Sequence, residues 1–309
     1  ILYEHSHVIK DWIIWNEPDI TSDHPGAQYD GSVEDYYRLV KVAYLVAKEI
    51  DPEIVIHLAG LTYWHDVVYG REPYLRRLLE IVLQDPTASV NDYYFDIATV
   101  HIYFKVETVY QIISEQLNIL QEFGLNKSIW LNETNAAPMN DPFYPWENPI
   151  IPITLRQQAS FVIQSSVLAF AAGAERVGIY KFFDHVEPLS GLESYGLIRH
   201  DGSYRPAAVS YQTLIKHISG FNQIEHQVFD THHIVGFLSP EKRTTVLWAR
   251  TYKDVLVNLD VFHDAKYRYL VDQMGNFVKL NSDNDQLQIM VSGGNCVTTG
   301  DICAVGSTP

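Results

Sequence analysis

Up to about residue 220, dense apolar runs alternate with stretches whose apolar positions recur every three or four residues. The runs begin at Trp12, Ile54, Phe95, Ser128 and Glu175, and their length and β-branched content suit buried strands. Between them, Val33 to Ile50 places Val33, Tyr36, Tyr37, Val40, Ala43, Tyr44 and Ala47 on one stripe, with Ser32 as its cap and Asp51-Pro52 as its stop. Pro73 to Leu83, Glu107 to Phe123 and Leu155 to Ala172 repeat the helical period, and Gly124 and Gly173 close the last two. Strand-helix alternation of this kind predicts a parallel α/β sheet. From Phe221 the period becomes two. His233 to Leu238, Thr244 to Arg250, Val255 to Val261, Tyr267 to Asp272 and Leu287 to Val291 predict short strands, with a turn at Met274-Gly275-Asn276. The expected division is therefore 1–220, α/β, and 221–309, a small β-sandwich-like accessory domain.

The chemistry gathers at two strand ends. Four of the five residues from Trp12 to Asn16 are aromatic or β-branched, which predicts a strand buried on both faces, and Pro18 stops its pairing just after Glu17. The C-terminal lip of a parallel strand is where ligand-binding loops emerge. Glu17 alone would equally suit an exposed acid at a strand end. Lys127 to Asn135 repeats the pattern, however, with Trp130 in an apolar strand and then Asn132-Glu133. Two glutamates at the ends of parallel strands can meet at one mouth, and retaining glycosidic hydrolysis needs two carboxyl groups about 5–5.5 Å apart.

On these motifs the sequence resembles the clan A glycoside hydrolases, from about residue 8 to 217, with the xylosidase and iduronidase-like families the nearest in pattern. The resemblance implies a (β/α)8 TIM barrel in which Glu17, ending the fourth strand, is the acid/base and Glu133, ending the seventh, is the nucleophile. It places Asn16 on the sugar 2-hydroxyl, with Asn132 beside the nucleophile, and His101 and Tyr103 at the end of the sixth strand. Trp64 follows the fifth strand, where a subsite forms. Many clan members end the eighth strand with a Trp flooring the −1 subsite; here Tyr180-Lys181-Phe182-Phe183 stands instead, so Tyr180 or Phe182 takes that place. Gly196 to Ala207 resembles the Asp-Gly hairpin before the clan's last helix. Only residues 1–10 precede the fourth strand, so the expectation is a barrel lacking strands 1–3, on the order of 90 residues, with an open sheet edge. The activity implied is retaining hydrolysis of O-glycosidic bonds in a plant- or microbial-type oligo- or polysaccharide. The alternative is a truncated or degenerate barrel that binds glycans, or serves structurally, without turnover.

Composition changes this picture little. The 309 residues are 47% apolar and 19% charged, which argues against disorder, and a net charge of −16 disfavours nucleic acid and anionic membrane surfaces as partners. No run approaches the ~18 apolar residues of a membrane span. The Cys and His spacings of a zinc site are lacking, Gly-x-Ser-x-Gly is absent, and the reading needs neither metal nor cofactor. Cys296 and Cys303 suit a short disulfide loop in an exported protein, or two free thiols in the cytosol. Two loops complete the cleft: Thr21 to Ser32, where Asp19, Asp23, His24 and Tyr29 read as solvated or sugar-facing, and proline-rich Ala136 to Ile153, an aglycone-side wall or a cover on the barrel edge.

Overall fold

The computed structural model describes residues 1–138, 141–143, 153–185, 194–260, 265–280, 286–294, 298–299 and 302–303. Most of the proline-rich wall (139–140 and 144–152) and Cys296, one half of the proposed bridge, lie outside them.

Five strands form one sheet in chain order: β1 (Asp11–Ile14), β2 (Val55–Leu61), β3 (Ile97–Tyr103), β4 (Ser128–Asn135) and β5 (Arg176–Ile179). β1 and β2 pair in parallel with Asp11 opposite Val55 and Ile14 opposite Leu58, and β2 and β3 pair in parallel with a shift between His57 and Gly60. The connecting helices are those the periodicity predicts: α2 (Val33–Ile50), α4 (Tyr74–Val82), α5 (Val109–Glu122) and α6 (Leu155–Ala172), with two short additions, α1 (Leu2–His5) and α3 (Trp64–Val68). Ser32 caps α2 in a reciprocal capping box with Asp35. α2 and α4 turn Tyr36, Val40, Tyr44, Leu75, Leu78 and Leu79 inward, where Ile54, Ile56 and Leu58 are also buried.

Two expectations for this sheet need correction. β1 is not buried on both faces: Asp11 is exposed, Ile13 is 45% exposed, and Trp12 and Ile14 are half-buried. The cause is its place at the end of the strand order, with β2 as its one partner. The last strand also stops earlier than expected, at Ile179. Beyond Tyr180 the carbonyls of Lys181 and Phe182 accept from Leu197 and Ile198 (2.9 Å each), so the chain pairs with the following hairpin.

The chain forms two compact units that do not follow chain order. The first comprises 1–102, 110–133 and 172–178; the second comprises 103–109, 134–171 and 179–309. Within the second, the Asp201-Gly202 hairpin is present, Gly202 adopts φ 83, and Pro206 opens α7 (Pro206–Ile218) at its first turn. Arg199 and Arg205 share the buried carboxylate of Asp141, and Arg205 also reaches Asp184 at 2.6 Å. Each buried guanidinium thus meets a buried carboxylate, as burial of charge demands. After α7 come β6 (Gln223–Val228), β7 (His232–Leu238) and β8 (Arg243–Ala249), an antiparallel sheet in that order. β9 (Val255–Asp260) pairs with β12 (Gln286–Val291), and β10 (Tyr269–Val271) with β11 (Phe277–Lys279) across the predicted turn, where Gly275 has φ 80. A last pair joins β13 (Thr298–Thr299) and β14 (Ile302–Cys303).

Candidate active site

The site starts where β1 ends. Tyr36, fully buried on α2, donates to the Ile14 carbonyl at 3.0 Å and accepts from the Ala59 amide at 2.7 Å, tying the end of β1 to β2. The chain then leaves the strand through two residues in the left-handed region, Trp15 at φ 73 and Glu17 at φ 44. Non-glycine residues are uncommon there, and Asn16-Glu17-Pro18 is thereby turned out of the pleat. Asn16 donates its side-chain amide to Gln28 Oε1 at 3.2 Å, and Trp15 its indole to the Gln28 carbonyl at 3.0 Å.

Glu17, His101 and Glu133 meet. His101 Nδ1 lies 2.7 Å from Glu17 Oε1 and 3.5 Å from Glu133 Oε2, and the three contacting atoms all lie within 4.8 Å of one another. The imidazole is 1% exposed, against 17% and 26% for the two carboxylates. His101 comes from β3 and Glu133 from within β4, two residues short of its end at Asn135. Gly60 on β2 makes room for the ring: a Cβ there would stand 1.9 Å from His101 Nε2.

That close approach decides the tautomer. Nδ1 faces two acceptors, whereas Nε2 is buried with no partner. Placing the proton on Nδ1 satisfies the carboxylates, while placing it on Nε2 would bury an unpaired N–H. The same argument bears on a metal. Among the described residues, Glu17, His101 and Glu133 are the group with metal-ligand spacing. Ligation through Nδ1 would require the proton on Nε2, and a ligating His ordinarily passes that proton to an acceptor. Among the described residues no acceptor meets Nε2, so the three side chains fit a hydrogen-bonded carboxylate site better than an ion.

The other predicted residues divide between the units. Asn132 precedes Glu133 with its Oδ1 buried and unpartnered, and its carbonyl lies 2.5 Å from where a Cβ on Gly178 would sit. Trp64 opens α3, half-buried, edge-on to Tyr63 at 5.7 Å. Its neighbour His65 packs against His24 at 4.7 Å. In the second unit, Tyr103 and Tyr180 belong to a cluster with Tyr195, ring centroids 5.4 to 6.3 Å apart. Phe182 is 69% exposed.

Sequence reasoning missed Asp19. Placed among solvated loop residues, it is 2% exposed, and its Oδ2 accepts from the Thr62 amide (2.8 Å), the Thr62 hydroxyl (2.7 Å) and the Tyr63 amide (3.1 Å). Burial pushes its carboxyl up to about 6, against the lowering effect of the Thr62 bonds. No local signal reveals this, because the donors lie 43 and 44 residues downstream. Nothing in the sequence around Gly60 marks it either. Its role depends on a ring that arrives from β3.

No protein-family model and no curated protein matches this chain. Solved structures do. A family 39 glycoside hydrolase from the gut symbiont Bacteroides cellulosilyticus WH2 is 16% identical over 94% of this chain and 58% of that one, with a TM-score of 0.69. The GH51 α-L-arabinofuranosidase of Thermotoga petrophila RKU-1 is 11% identical over 91% and 64%, TM-score 0.58. A GH30 endoxylanase from Clostridium papyrosolvens C71 is 12% identical over 92% and 63%, TM-score 0.57. These families belong to clan A, as the sequence motifs indicate, and the likeness is one of fold, a partial TIM-barrel arrangement. The chain spans less than two thirds of each of these three structures.

Proposed function

We propose that the chain carries the catalytic centre of a retaining glycoside hydrolase, with Glu133 as nucleophile and Glu17 as acid/base. The observation that carries this reading is the convergence of two carboxylates on one buried imidazole nitrogen: Glu17 Oε1 lies 2.7 Å and Glu133 Oε2 3.5 Å from His101 Nδ1. Convergence of this kind suits direct attack, for which retaining enzymes hold the two carboxyl groups about 5–5.5 Å apart.

In the first step Glu133, ionised, attacks the anomeric carbon while Glu17 gives its proton to the departing glycosidic oxygen, producing a glycosyl ester and a free alcohol. In the second, Glu17 takes a proton from water, whose oxygen displaces Glu133 and regenerates both groups. His101 holds the two carboxylates in register by donating from Nδ1. Asn16 and Asn132 supply polar contacts to sugar hydroxyls, and Trp64 supplies an aromatic face. Residues 1–220 form the catalytic part, and 221–309 the accessory part.

The neighbours' named activities, an endoxylanase and an α-L-arabinofuranosidase, make aryl xylosides and aryl arabinofuranosides the first substrates to test. Glu133→Ala is expected to lower kcat by orders of magnitude, and azide to rescue it through a glycosyl azide of inverted configuration. A slow fluorinated glycoside should leave a covalent adduct on Glu133; turnover of that glycoside with no adduct would overturn the assignment.

One observation favours glycan binding without turnover. β1 lies at the sheet's edge and Trp15, two residues before Glu17, is 49% exposed, so that flank of the site has no wall in the first unit. Xylo-oligosaccharide binding by calorimetry, with no product from any aryl glycoside, would mark this reading.

A further inference from the structure

Glu17 opens a turn whose next three residues, Pro18, Asp19 and Ile20, are buried. The Ile20 amide closes it on the Glu17 carbonyl at 3.2 Å, and Pro18 to Ser22 border a cavity of about 360 Å³. Glu17 itself is at φ 44 and Tyr63 at φ 60, conformations that persist in non-glycine residues only where the surroundings over-determine them.

Asp19 supplies those surroundings. Its Oδ2 accepts three hydrogen bonds from Thr62 and Tyr63, and its carbonyl accepts from Arg71 Nη2 at 2.8 Å. Arg71 is itself anchored on the buried Asp66 at 2.9 Å, and the Tyr63 hydroxyl donates to Glu115 at 2.7 Å. The two left-handed residues are therefore joined through one buried carboxylate.

We propose that Asp19 is a positioning residue for Glu17: it ties the Glu17 turn to the Thr62–Tyr63 loop and so sets the approach of Glu17 Oε1 to His101 Nδ1. The inference rests on the reading of Glu17 as acid/base. Displacements near 1 Å away from the reacting atoms cost as much as about a hundredfold in rate, so releasing the turn should act on kcat more than on KM.

Asp19→Ala removes the three acceptor bonds, whereas Asp19→Asn keeps an acceptor for them, its amide oxygen replacing Oδ2. With an aryl glycoside, Asp19→Ala is expected to lower kcat at least tenfold with KM changed less than threefold, and Asp19→Asn to recover most of the loss. Independently of turnover, the downfield proton resonance of His101 Nδ1–H, identified by its disappearance in His101→Phe, should shift or broaden in Asp19→Ala and hold its place in Asp19→Asn. A folded Asp19→Ala protein with kcat within twofold of the parent and an unmoved His101 resonance would overturn the proposal. If Asp19→Ala does not fold, Thr62→Val, which removes one donor, should move the resonance in the same direction by less; an unmoved resonance there is equally fatal. Glu17→Gln separates the two claims. Full activity in Glu17→Gln defeats the acid/base reading, whereas loss in Glu17→Gln beside an unaffected Asp19→Ala defeats only the positioning role.

Discussion

At the scale of single residues, the contact most sensitive to change is the one between Gly60 and His101. A methyl group on Gly60 would fall 1.9 Å from Nε2, and the ring is 1% exposed, so it cannot yield without leaving both carboxylates. Gly60→Ala is expected to destabilise the fold by about 1–3 kcal/mol, the usual cost of overpacking, and to lower kcat more than tenfold. Equal activity in a folded Gly60→Ala protein would show that His101 need not stand where it does. Glu17 and Glu133 were legible in the sequence because each ends an apolar run with Asn-Glu, a local pattern. Asp19 was not, since what distinguishes it from a solvated loop acid is a set of donors that only the folded chain brings near it. The resting place of Phe182, 69% exposed, was equally beyond a reading that extended the last strand through it.

At the scale of elements, periodicity locates long helices better than it locates strand ends. α2 carries both a stripe and a cap, and both are found: the Asp35 amide bonds to Ser32 Oγ at 3.2 Å while the Asp35 carboxylate receives the Ser32 amide at 3.1 Å. Ser32→Ala loses the side-chain half of this pair. A loss of about 1 kcal/mol is expected, seen as a lower denaturant midpoint at unchanged m-value; a midpoint within error of the parent would show that the cap contributes nothing. α3, Trp64 to Val68, is too short to show a period, and its residues read as loop. β1 shows the limit of apolar content as evidence for burial. Its composition suits a central strand, yet its neighbours place it on an edge, and strand order is not written in the strand itself. β5 ends early for a related reason, because the Leu197–Ile198 segment competes for the backbone carbonyls of Lys181 and Phe182.

At the scale of the whole molecule, the pH dependence of stability is a contest between buried acids and buried imidazoles, and its sign can be worked out. Asp19, raised from 3.8 to about 6 by burial, holds its proton more tightly folded than unfolded. Its contribution is fully present below the unfolded value and is lost as pH rises through 6, roughly 3 kcal/mol at about 1.36 kcal/mol per unit. Asp66, also raised by burial, has the same sign. His226 runs the other way: burial lowers it to about 4, so its contribution is present above the unfolded value of 6.5 and is lost as pH falls. These two windows overlap with opposite signs and comparable spans. The balance then falls to His57, His65, His217 and His232, all lowered chiefly by burial, against Asp66 alone. The groups facing Asp19 are Asp66, Arg71, Tyr36 and Tyr74; Asp66 is shifted in the same direction as Asp19, and burial raises both tyrosines further above this interval. Tm is therefore expected to fall as pH is lowered from 7 to 5. Asp19→Asn removes the main opposing group and should make that fall steeper. An Asp19→Asn slope equal to or shallower than the parent's would mean that Asp19 is not held as a buried acid, whereas a parent Tm that rises from pH 7 to 5 would mean that the raised acids outweigh the lowered imidazoles.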